Sequence, residues 1–351
     1  MKEDIRKILV IKLRAIGDVV LSTAVLPNLK KAFQSAEVHF LVEHPARQVV
    51  EGNPYVDRVI VLPKKGRKTA AFGEWLRFFK TLRREKYDLV LDLFGNPRSA
   101  FLSLMTGASC RVGFSFQGRR YAYHIRVHPR GDRVHEVDFN LDALRALNIP
   151  IVDDSPLFPV FEKDRSAIDA WIEEKGLGDS FLVGMHPWGS WEAKRWGIEK
   201  YAALADRFVE DFHAEVVVLW GPGEKAHAER VKDLARHALT LAPRTTLKEL
   251  GALCLRCRFV VANDSGPMHI SAAVGTPTVG IFGPTNSRLQ GPYGSLHHVV
   301  EKKGLDCLGC NRLVCETNAC MKDLSVEEVW QALRPLLEED ESVSNQRMAV
   351  R

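Results

Sequence analysis

Short apolar runs alternate with amphipathic stretches along the first half of the chain. ILVIKL at residues 8–13 is typical of a buried strand, and DVVLSTAVLPNLKKAF at 18–33 has apolar residues at helical spacing. The alternation continues through EVHFLVE, VDRVIVLP, the amphipathic FGEWLRFFKTLRREK and YDLVLDLFG. Strands and helices that alternate at this spacing predict a parallel sheet with helices on both faces.

The alternation is interrupted at PIVDDSPLFPVFEKD, a stretch rich in proline and aspartate that predicts the crossing between two domains. Beyond it, FLVGMHPWGS, AEVVVLWGPGE, RFVVANDS and PTVGIFGPT predict a second sheet, and Ser325 with Glu328 predicts a capping box on the last helix. We therefore predict an α/β chain of two doubly wound Rossmann-like domains that face each other across a cleft. The predicted domains are residues 1–160 and 161–340, followed by a flexible tail at 341–351.

Composition narrows the class of protein. A chain of 351 residues with 46% hydrophobic and 26% charged residues is typical of a globular protein with two domains. Lys12, Arg14 and Asp18 interrupt the first apolar run, which argues against a signal peptide, and no apolar run approaches the ~20 residues that span a bilayer. The net charge of +5 suits an anionic small molecule or lipid surface and is poor evidence for nucleic acid. We expect a cytoplasmic protein that can touch a membrane surface.

Asp18 lies in the first of four loops that fall at the carboxyl ends of predicted strands. Gly17 permits a tight turn, and the helix is expected to start at Asp18. One interpretation is that Asp18 is an N-cap. The other is that it is a general base, because a helix N-terminus favours the ionised carboxylate that a base needs.

The other loops offer cations and backbone amides to an anion. Lys194 and Arg195 in HPWGSWEAKRWGIEKY could clamp a diphosphate, and a solvated loop with packed indoles is the alternative. NDSGPMHISAAVG presents the first turn of a helix, GPT at 283–285 ends the next strand with a hydroxyl, and the turn in WGPGEKAHAE is weak evidence by itself. No Gly-x-Gly-x-x-Gly follows the first strand, which disfavours a nicotinamide-dependent dehydrogenase. No Asp-x-Asp occurs, so a transferase would neutralise leaving phosphates with cations and helix dipoles.

Together, ILVIKLRAIGDVVLSTAVLPNLKKAF, YDLVLDLFGNPRSA, HPWGSWEAKRWGIEKYAALA and NDSGPMHISAAVGTPTVGIFGPT resemble glycosyltransferase family 9, the ADP-heptose:lipopolysaccharide heptosyltransferases. The resemblance covers most of residues 7–335. It implies the GT-B architecture, with the nucleotide sugar on the C-terminal domain and the lipid-linked acceptor on the N-terminal domain. It also implies transfer of heptose to the inner core of lipopolysaccharide, with inversion at the anomeric carbon and without a catalytic metal.

The resemblance also assigns roles to individual residues. Asp18 would be the catalytic base, which takes a proton from an acceptor hydroxyl. Lys194 would face the donor phosphates and Asp264 the donor sugar. The remaining donor-binding candidates are Arg195, Ser265, Gly266, His269 and Thr285, and the acceptor-binding candidates are Arg14, Arg98, Arg119, Arg120 and, additionally, Arg126.

Three other functions stay open at this point. The chain could be a family member that uses another nucleotide sugar, a non-catalytic sugar-nucleotide-binding protein on the same scaffold, or an enzyme of another type such as a sugar-nucleotide epimerase. The loops do not identify which acceptor hydroxyl is glycosylated.

An amphipathic segment and a cysteine cluster complete the candidates. KKGRKTAAFGEWLRFFKTLRR mixes cations with aromatic residues and could rest on the inner membrane, contact acceptor phosphates, or form a core-facing helix with a solvated basic face. The aromatic residues are Phe72, Trp75, Phe78 and Phe79. The spacing of Cys307, Cys310, Cys315 and Cys320 suits a structural zinc ion or a reduced or disulfide-linked loop. Cys254 and Cys257 are expected to be buried structural cysteines.

Overall fold

The computed structural model describes residues 5–63, 68–116, 118–178 and 180–349. Residues 64–67 of the amphipathic segment and the side chain of Phe72 lie outside this description. The chain forms two compact units, unit 1 over Met1–Phe161 and unit 2 over Glu162–Arg351. Among the described residues, no helix combines the length and the apolar character that crossing a bilayer requires.

Unit 1 is a six-stranded parallel sheet with helices between its strands. The strands are β1 (Lys7–Ile11), β2 (Glu37–Val42), β3 (Arg58–Val61), β4 (Leu89–Asp92), β5 (Cys110–Phe114) and β6 (Ile125–Val127). The helices are α1 (Ile16–Ser22), α2 (Val25–Ala32), α3 (Arg47–Val50), α4 (Lys68–Arg84), α5 (Pro97–Thr106) and α6 (Glu136–Arg145). The strand order is β3-β2-β1-β4-β5-β6, so the winding direction reverses between β1 and β4.

Unit 2 repeats this arrangement. Its strands are β7 (Leu182–His186), β8 (Glu215–Val218), β9 (Thr240–Leu241), β10 (Phe259–Asn263), β11 (Thr278–Phe282) and β12 (His298–Glu301). Its helices are α7 (Glu162–Glu174), α8 (Ile198–Phe212), α9 (Lys225–Leu234), α10 (Leu247–Arg256), α11 (Gly266–Ala273), α12 (Ser287–Gln290), α13 (Ala319–Lys322) and α14 (Val326–Ala349). The order β12-β11-β10-β7-β8-β9 places the reversal between β7 and β10. Ligands of such sheets bind where the carboxyl ends of these two strands diverge.

The apolar runs that predict strands are buried on both faces. All five residues of β7, β10 and β11 are buried, and so are four of the five residues of β1. Such strands pack between two layers of helices, which explains why they read as continuous apolar runs rather than as alternating ones. The α/β prediction of two doubly wound units is confirmed.

Several boundaries differ from the sequence predictions or refine them. Helix α1 begins at Ile16, so Gly17 lies inside the helix and Asp18 is its third residue rather than its N-cap. The segment 110–127, which is rich in basic and aromatic residues, contains β5 and β6, and the sequence pattern did not predict these strands. The capping box is confirmed: the Ser325 N–H donates to Glu328 at 2.9 Å, and the Glu328 N–H donates to the Ser325 hydroxyl at 3.2 Å. Helix α14 continues past residue 340, and the flexibility of residues 341–351 stays a prediction.

Candidate functional site

A buried ion pair lies at the switch point of unit 2. The Nζ atom of Lys194 is 2.6 Å from Oδ2 of Asp264, and the Thr285 hydroxyl donates to the same oxygen at 2.5 Å. All three side chains are buried. Asp264 follows β10, Thr285 follows β11, and Lys194 ends a 3₁₀ helix (Glu192–Lys194) in the loop after β7. The structure therefore brings together three predicted donor-site residues from three different loops.

Local packing sets the direction of Lys194. Its ammonium lies 4.2 Å from the centroid of the Trp191 ring, a cation–π contact. A Cβ atom at Gly189 would lie 3.3 Å from the Cβ of Lys194, so a side chain at that position would crowd the lysine stem. The neighbouring Arg195 donates from Nε to the Gly189 carbonyl at 3.0 Å. The loop thus presents two cations from one short turn.

The start of helix α11 forms the wall of this site. Ser265 occupies the N-cap position, Gly266 is the first helical residue, and His269 is buried within the helix. The first N–H groups of a helix carry partial positive charge and have no partner within the helix. This end of α11 can therefore receive an anion, as the sequence predicts.

Two residues that the sequence reasoning missed, His186 and Glu224, extend this side of the site. His186, the last residue of β7, lies with Nδ1 3.3 Å from the Ser265 hydroxyl and with Nε2 3.2 Å from Oε2 of Glu224. The Gly221 N–H donates to the same Glu224 oxygen at 2.7 Å. Burial alone would raise the pKa of Glu224, but the hydrogen bond and charge of His186, the Gly221 N–H and the charge of Arg195 hold it below its ordinary value.

A signal for both residues was present in the sequence. Glu224 directly follows the Gly-Pro-Gly turn after β8, and His186 immediately precedes the loop that contains Lys194. Each stands at the carboxyl end of a predicted strand, where ligands of parallel sheets bind. A strand-end criterion applied to every polar residue would therefore have found them.

In unit 1, Asp18 lies at the start of α1, directly after β1, which is one of the two strands at the switch point of that sheet. Its Oδ2 accepts the N–H of Ala15 at 2.9 Å, and its side chain is half-buried. A carboxylate at the third helical position that accepts the N-cap N–H is one half of a capping box. Asp18 is therefore not the N-cap but the acidic residue at the third helical position that accepts the N-cap N–H, and its catalytic role stays a prediction.

The nearby lysine after β1 is also fixed in place. Lys12 is buried and its ammonium contacts Glu136 at 2.7 Å, the Leu93 carbonyl at 3.1 Å and Asn140 at 3.2 Å. These contacts tie the end of β1 to α6 and to the loop after β4. Lys12 thus supports the loop that carries Asp18.

In unit 1, the sequence reasoning missed Asp92, the last residue of β4. Its carboxyl is fully buried, and it accepts the Tyr123 hydroxyl at 2.6 Å and the N–H groups of Phe94 and Gly95 at 3.0 Å each. Burial raises the pKa of Asp92 even though these hydrogen bonds oppose the shift. The contacts shape the loop between β4 and α5, so we assign Asp92 a structural role.

Two of the predicted acceptor-binding arginines share a pocket in unit 1. Arg14 and Arg98 line a cavity of about 410 Å³ together with Glu43, His44 and Asn96. Arg98 forms an ion pair with Glu43 at 2.9 Å. The pocket lies at the carboxyl edge of the sheet, where an anionic acceptor is expected.

The other predicted arginines lie elsewhere in unit 1. Arg119 lines a separate cavity of about 250 Å³ with Phe101 and Tyr121, and its guanidinium lies 5.5 Å from the Phe116 ring centroid. Arg120 is exposed in the next turn, and Arg126 donates to its carbonyl at 2.9 Å. Of the predicted acceptor set, Arg14 and Arg98 therefore share one pocket, Arg119 lines another, and Arg120 and Arg126 line neither.

Three aromatic residues of the amphipathic segment face inward. Trp75, Phe78 and Phe79 pack against the buried cluster around Leu82 and Leu102. The cations of the same helix whose side chains are described are exposed: Arg77, Lys80, Arg83 and Arg84. The core-facing interpretation of this helix is therefore confirmed for its described residues.

The cysteine cluster lies against the loops that carry the predicted donor-binding residues. The Gly309 N–H donates to the Gly283 carbonyl at 3.1 Å, the Asn311 N–H to the Pro284 carbonyl at 2.6 Å, and the Ala193 N–H to the Leu313 carbonyl at 3.3 Å. The loop from Cys307 to Cys320 thus braces two of the loops that hold the Lys194–Asp264 pair. All the cysteines are unpaired, and the part of the chain that the structure describes contains no group of three or more His, Cys, Asp or Glu side chains placed to hold a metal ion. Cys254 and Cys257 are buried, as predicted.

Comparison with known proteins places this geometry in a family. Residues 75–320 match the model for glycosyltransferase family 9 (heptosyltransferase). Lipopolysaccharide heptosyltransferase 1 of Pseudomonas aeruginosa is 28% identical over 320 residues, which cover 88% of this chain and 87% of the relative. The glycosyl transferase family 9 structure from Veillonella parvula superposes with a TM-score of 0.84 at 27% identity, covering 97% of this chain and 99% of that one. The Escherichia coli ADP-heptose lps heptosyltransferase II gives a TM-score of 0.76 at 21% identity over 95% and 99% of the two chains.

Proposed function

The chain belongs to glycosyltransferase family 9, and on that premise we propose that it transfers heptose from ADP-heptose to the inner core of lipopolysaccharide, with inversion and without a catalytic metal. The E. coli neighbour named for ADP-heptose supports this donor. The observation that carries the proposal is the Lys194–Asp264–Thr285 cluster beside the start of α11. It brings a cation, a carboxylate and helix amides together at one edge of the sheet, as a nucleotide-diphosphate sugar requires.

The proposed reaction is a single displacement. Asp18 takes the proton of an acceptor hydroxyl, and the hydroxyl oxygen forms a bond to the anomeric carbon of the donor. The bond from that carbon to the phosphate oxygen breaks on the opposite face, and ADP leaves with the electron pair. Lys194, Arg195 and the amides at Gly266 meet the charge that develops on the diphosphate.

The acceptor site of the proposal is the pocket of Arg14 and Arg98. Two guanidinium groups there suit phosphate or carboxylate groups of a lipopolysaccharide core. Arg98 is already paired with Glu43, so an anionic acceptor would compete with that carboxylate for it. This makes Arg14 the principal anion-binding residue of the pocket.

A donor and acceptor screen tests the proposed function. ADP-heptose is compared with UDP- and GDP-sugars, using lipid-linked core acceptors truncated at successive sugars. We expect heptose transfer from ADP-heptose to one truncated acceptor, with activity retained in EDTA. Preferred turnover of another sugar nucleotide would contradict the donor, and consumption of ADP-heptose without an acceptor, with an altered sugar recovered, would indicate an epimerase.

A structural zinc ion in the cysteine cluster stays a prediction. Burial raises the pKa of Cys320, and the charges of Cys307, Cys310 and Cys315 raise it further. Neighbouring thiols of this kind can bind a thiophilic ion, which also lowers their pKa. Metal analysis of protein purified without chelator decides between one equivalent of zinc and a metal-free loop.

We also propose that unit 1 contacts the cytoplasmic face of the inner membrane through an aromatic surface, defined here by Leu76, Phe101 and Tyr121. These side chains are 47%, 50% and 72% exposed. Phe101 lies 5.6 Å from Phe79 of α4 between ring centroids, and it shares the 250 Å³ pocket with Tyr121 and Arg119. Apolar side chains flanked by arginines suit an anionic lipid surface.

A further inference from the structure

Arg195 supplies the second cation of the donor site, and an aromatic stack holds its guanidinium. The Cζ atom of Arg195 lies 3.5 Å from the centroid of the Trp188 ring. The imidazole of His227 stacks on the same indole, with 3.8 Å between ring centroids and an angle of 21° between the planes. Two groups this close to one ring would overlap on a single face, so they cover opposite faces.

The stack connects two loops of unit 2. Trp188 and Arg195 belong to the loop after β7, whereas His227 lies in α9, directly after the turn that carries Glu224. Because both faces of the indole are covered, Trp188 has no open face on which an adenine or a sugar ring could stack. Its contribution to the site must therefore pass through Arg195.

The orientation of Arg195 is restricted further by one hydrogen bond. Its Nε donates to the Gly189 carbonyl at 3.0 Å, and this is the only hydrogen bond that its guanidinium makes to the described residues. A guanidinium fixed at Nε and at one face presents its two Nη atoms as a planar pair of donors. Such a pair matches two phosphate oxygens, and prior fixation reduces the entropy that binding would cost.

We propose that Trp188 and His227 are positioning residues that hold Arg195 against the diphosphate of the donor and of the leaving nucleoside diphosphate. This inference rests on the proposed function for the presence of a nucleotide-sugar donor. It adds that diphosphate recognition depends on an indole that does not itself touch the nucleotide.

Calorimetric titration of ADP, AMP and adenosine into four variants tests the stack. Trp188→Leu removes the aromatic face, Trp188→Phe keeps a smaller one, Arg195→Met removes the cation, and the double variant combines Trp188→Leu with Arg195→Met. Trp171→Leu is the matched control, because Trp171 is a partly buried indole of α7 outside this site. Melting curves verify that every variant is folded.

We expect Trp188→Leu to weaken ADP binding about tenfold, as the loss of a partly desolvated cation–π contact would. Adenosine binding should be unchanged, Trp188→Phe should recover most of the ADP affinity, and the control should match the wild type. In the Arg195→Met background, Trp188→Leu should have little further effect, because its influence passes through Arg195.

Two results would overturn the inference: an equal loss for adenosine and ADP, or losses that add in the double variant. The wild-type affinity for ADP reports separately on the proposed donor. If the wild type prefers UDP or GDP, the same coupling is measured with that nucleotide, and a wild type that binds no nucleoside diphosphate contradicts both proposals.

Discussion

Lys194 and Asp264 are 2.6 Å apart between ammonium and carboxylate, with only 10% and 7% of their side chains exposed. Each has given up most of its hydration, and each compensates the charge of the other. The pair joins two loops whose paired residues are 70 positions apart in the sequence. Neither charge can therefore be removed without leaving the other buried and unpaired.

Lys194→Met should lower the free energy of unfolding by about 3 kcal/mol, because the Asp264 carboxylate remains buried without its cation. Urea denaturation measures this change. Lys175→Met, which removes an exposed ion pair with Glu174, should change it by less than about 0.5 kcal/mol. Adding Asp264→Asn to Lys194→Met should recover stability, and a double variant less stable than the single one would contradict this account.

Asp18→Asn should reduce kcat by about 10²–10⁴-fold while the Kd for ADP stays unchanged, because the amide cannot accept the acceptor proton. Asparagine keeps an oxygen that can accept the Ala15 N–H, so α1 should remain capped. Glu249→Gln is the control, since Glu249 accepts the Thr246 N–H at 2.7 Å from the same helical position in α10. Full transfer activity in Asp18→Asn would remove Asp18 from the role of base.

Gly283→Ala should destabilise unit 2 by about 1–3 kcal/mol and weaken ADP binding. A Cβ atom at Gly283 would lie 2.7 Å from the Cys320 sulfur and 3.2 Å from its Cβ, and Gly283 is two residues from Thr285. Adding Cys320→Ala removes the sulfur, so the double variant should regain part of both losses. Thermal denaturation and ADP titration check this, and independent, additive effects would argue against the contact.

Phe101→Ser combined with Tyr121→Ser should abolish sedimentation of the protein with anionic vesicles, because these substitutions remove the two most exposed side chains of the aromatic surface. Transfer to a deacylated, water-dispersed acceptor should be unchanged. Leu296→Ser, at a 59% exposed position of unit 2, is the control and should sediment like the wild type. Vesicle binding that survives the double substitution would exclude this surface as the membrane contact.

His297→Gln should reduce the loss of stability that the protein shows as the pH falls from about 6.5 to about 4. Burial, together with the charge of His298, lowers the pKa of His297 to about 4. In this interval the unfolded chain binds a proton at residue 297 and the folded chain does not, so stability falls as the pH falls. The urea midpoint of the wild type should therefore fall relative to that of the variant across this range, whereas His128→Gln, at an exposed position, should keep the wild-type slope.

Much of the fold was determined by local pattern. The apolar run at residues 8–13 and its counterparts predicted β1, β7, β10 and β11, because a strand buried between two helical layers must be apolar on both faces. The same pattern missed β5 and β6, because their flanking residues are basic and aromatic and their apolar runs are short. It also placed the start of α1 two residues late, at Asp18 rather than Ile16, because a capping acid can stand at the third helical position as well as at the cap.

The sequence by itself identified Lys194, Asp264 and Thr285 as members of one site, because each follows a strand whose carboxyl end faces the same edge. Only the tertiary structure joined His186 to Glu224 and Ser265, and Trp188 to His227 and Arg195. These partners are 38 and 79 residues apart in the first group, and no local pattern encodes which loops meet. Strand order decides that, since β7 lies between β10 and β8 in the sheet, and the segments that follow these three strands therefore meet within hydrogen-bonding and stacking distance.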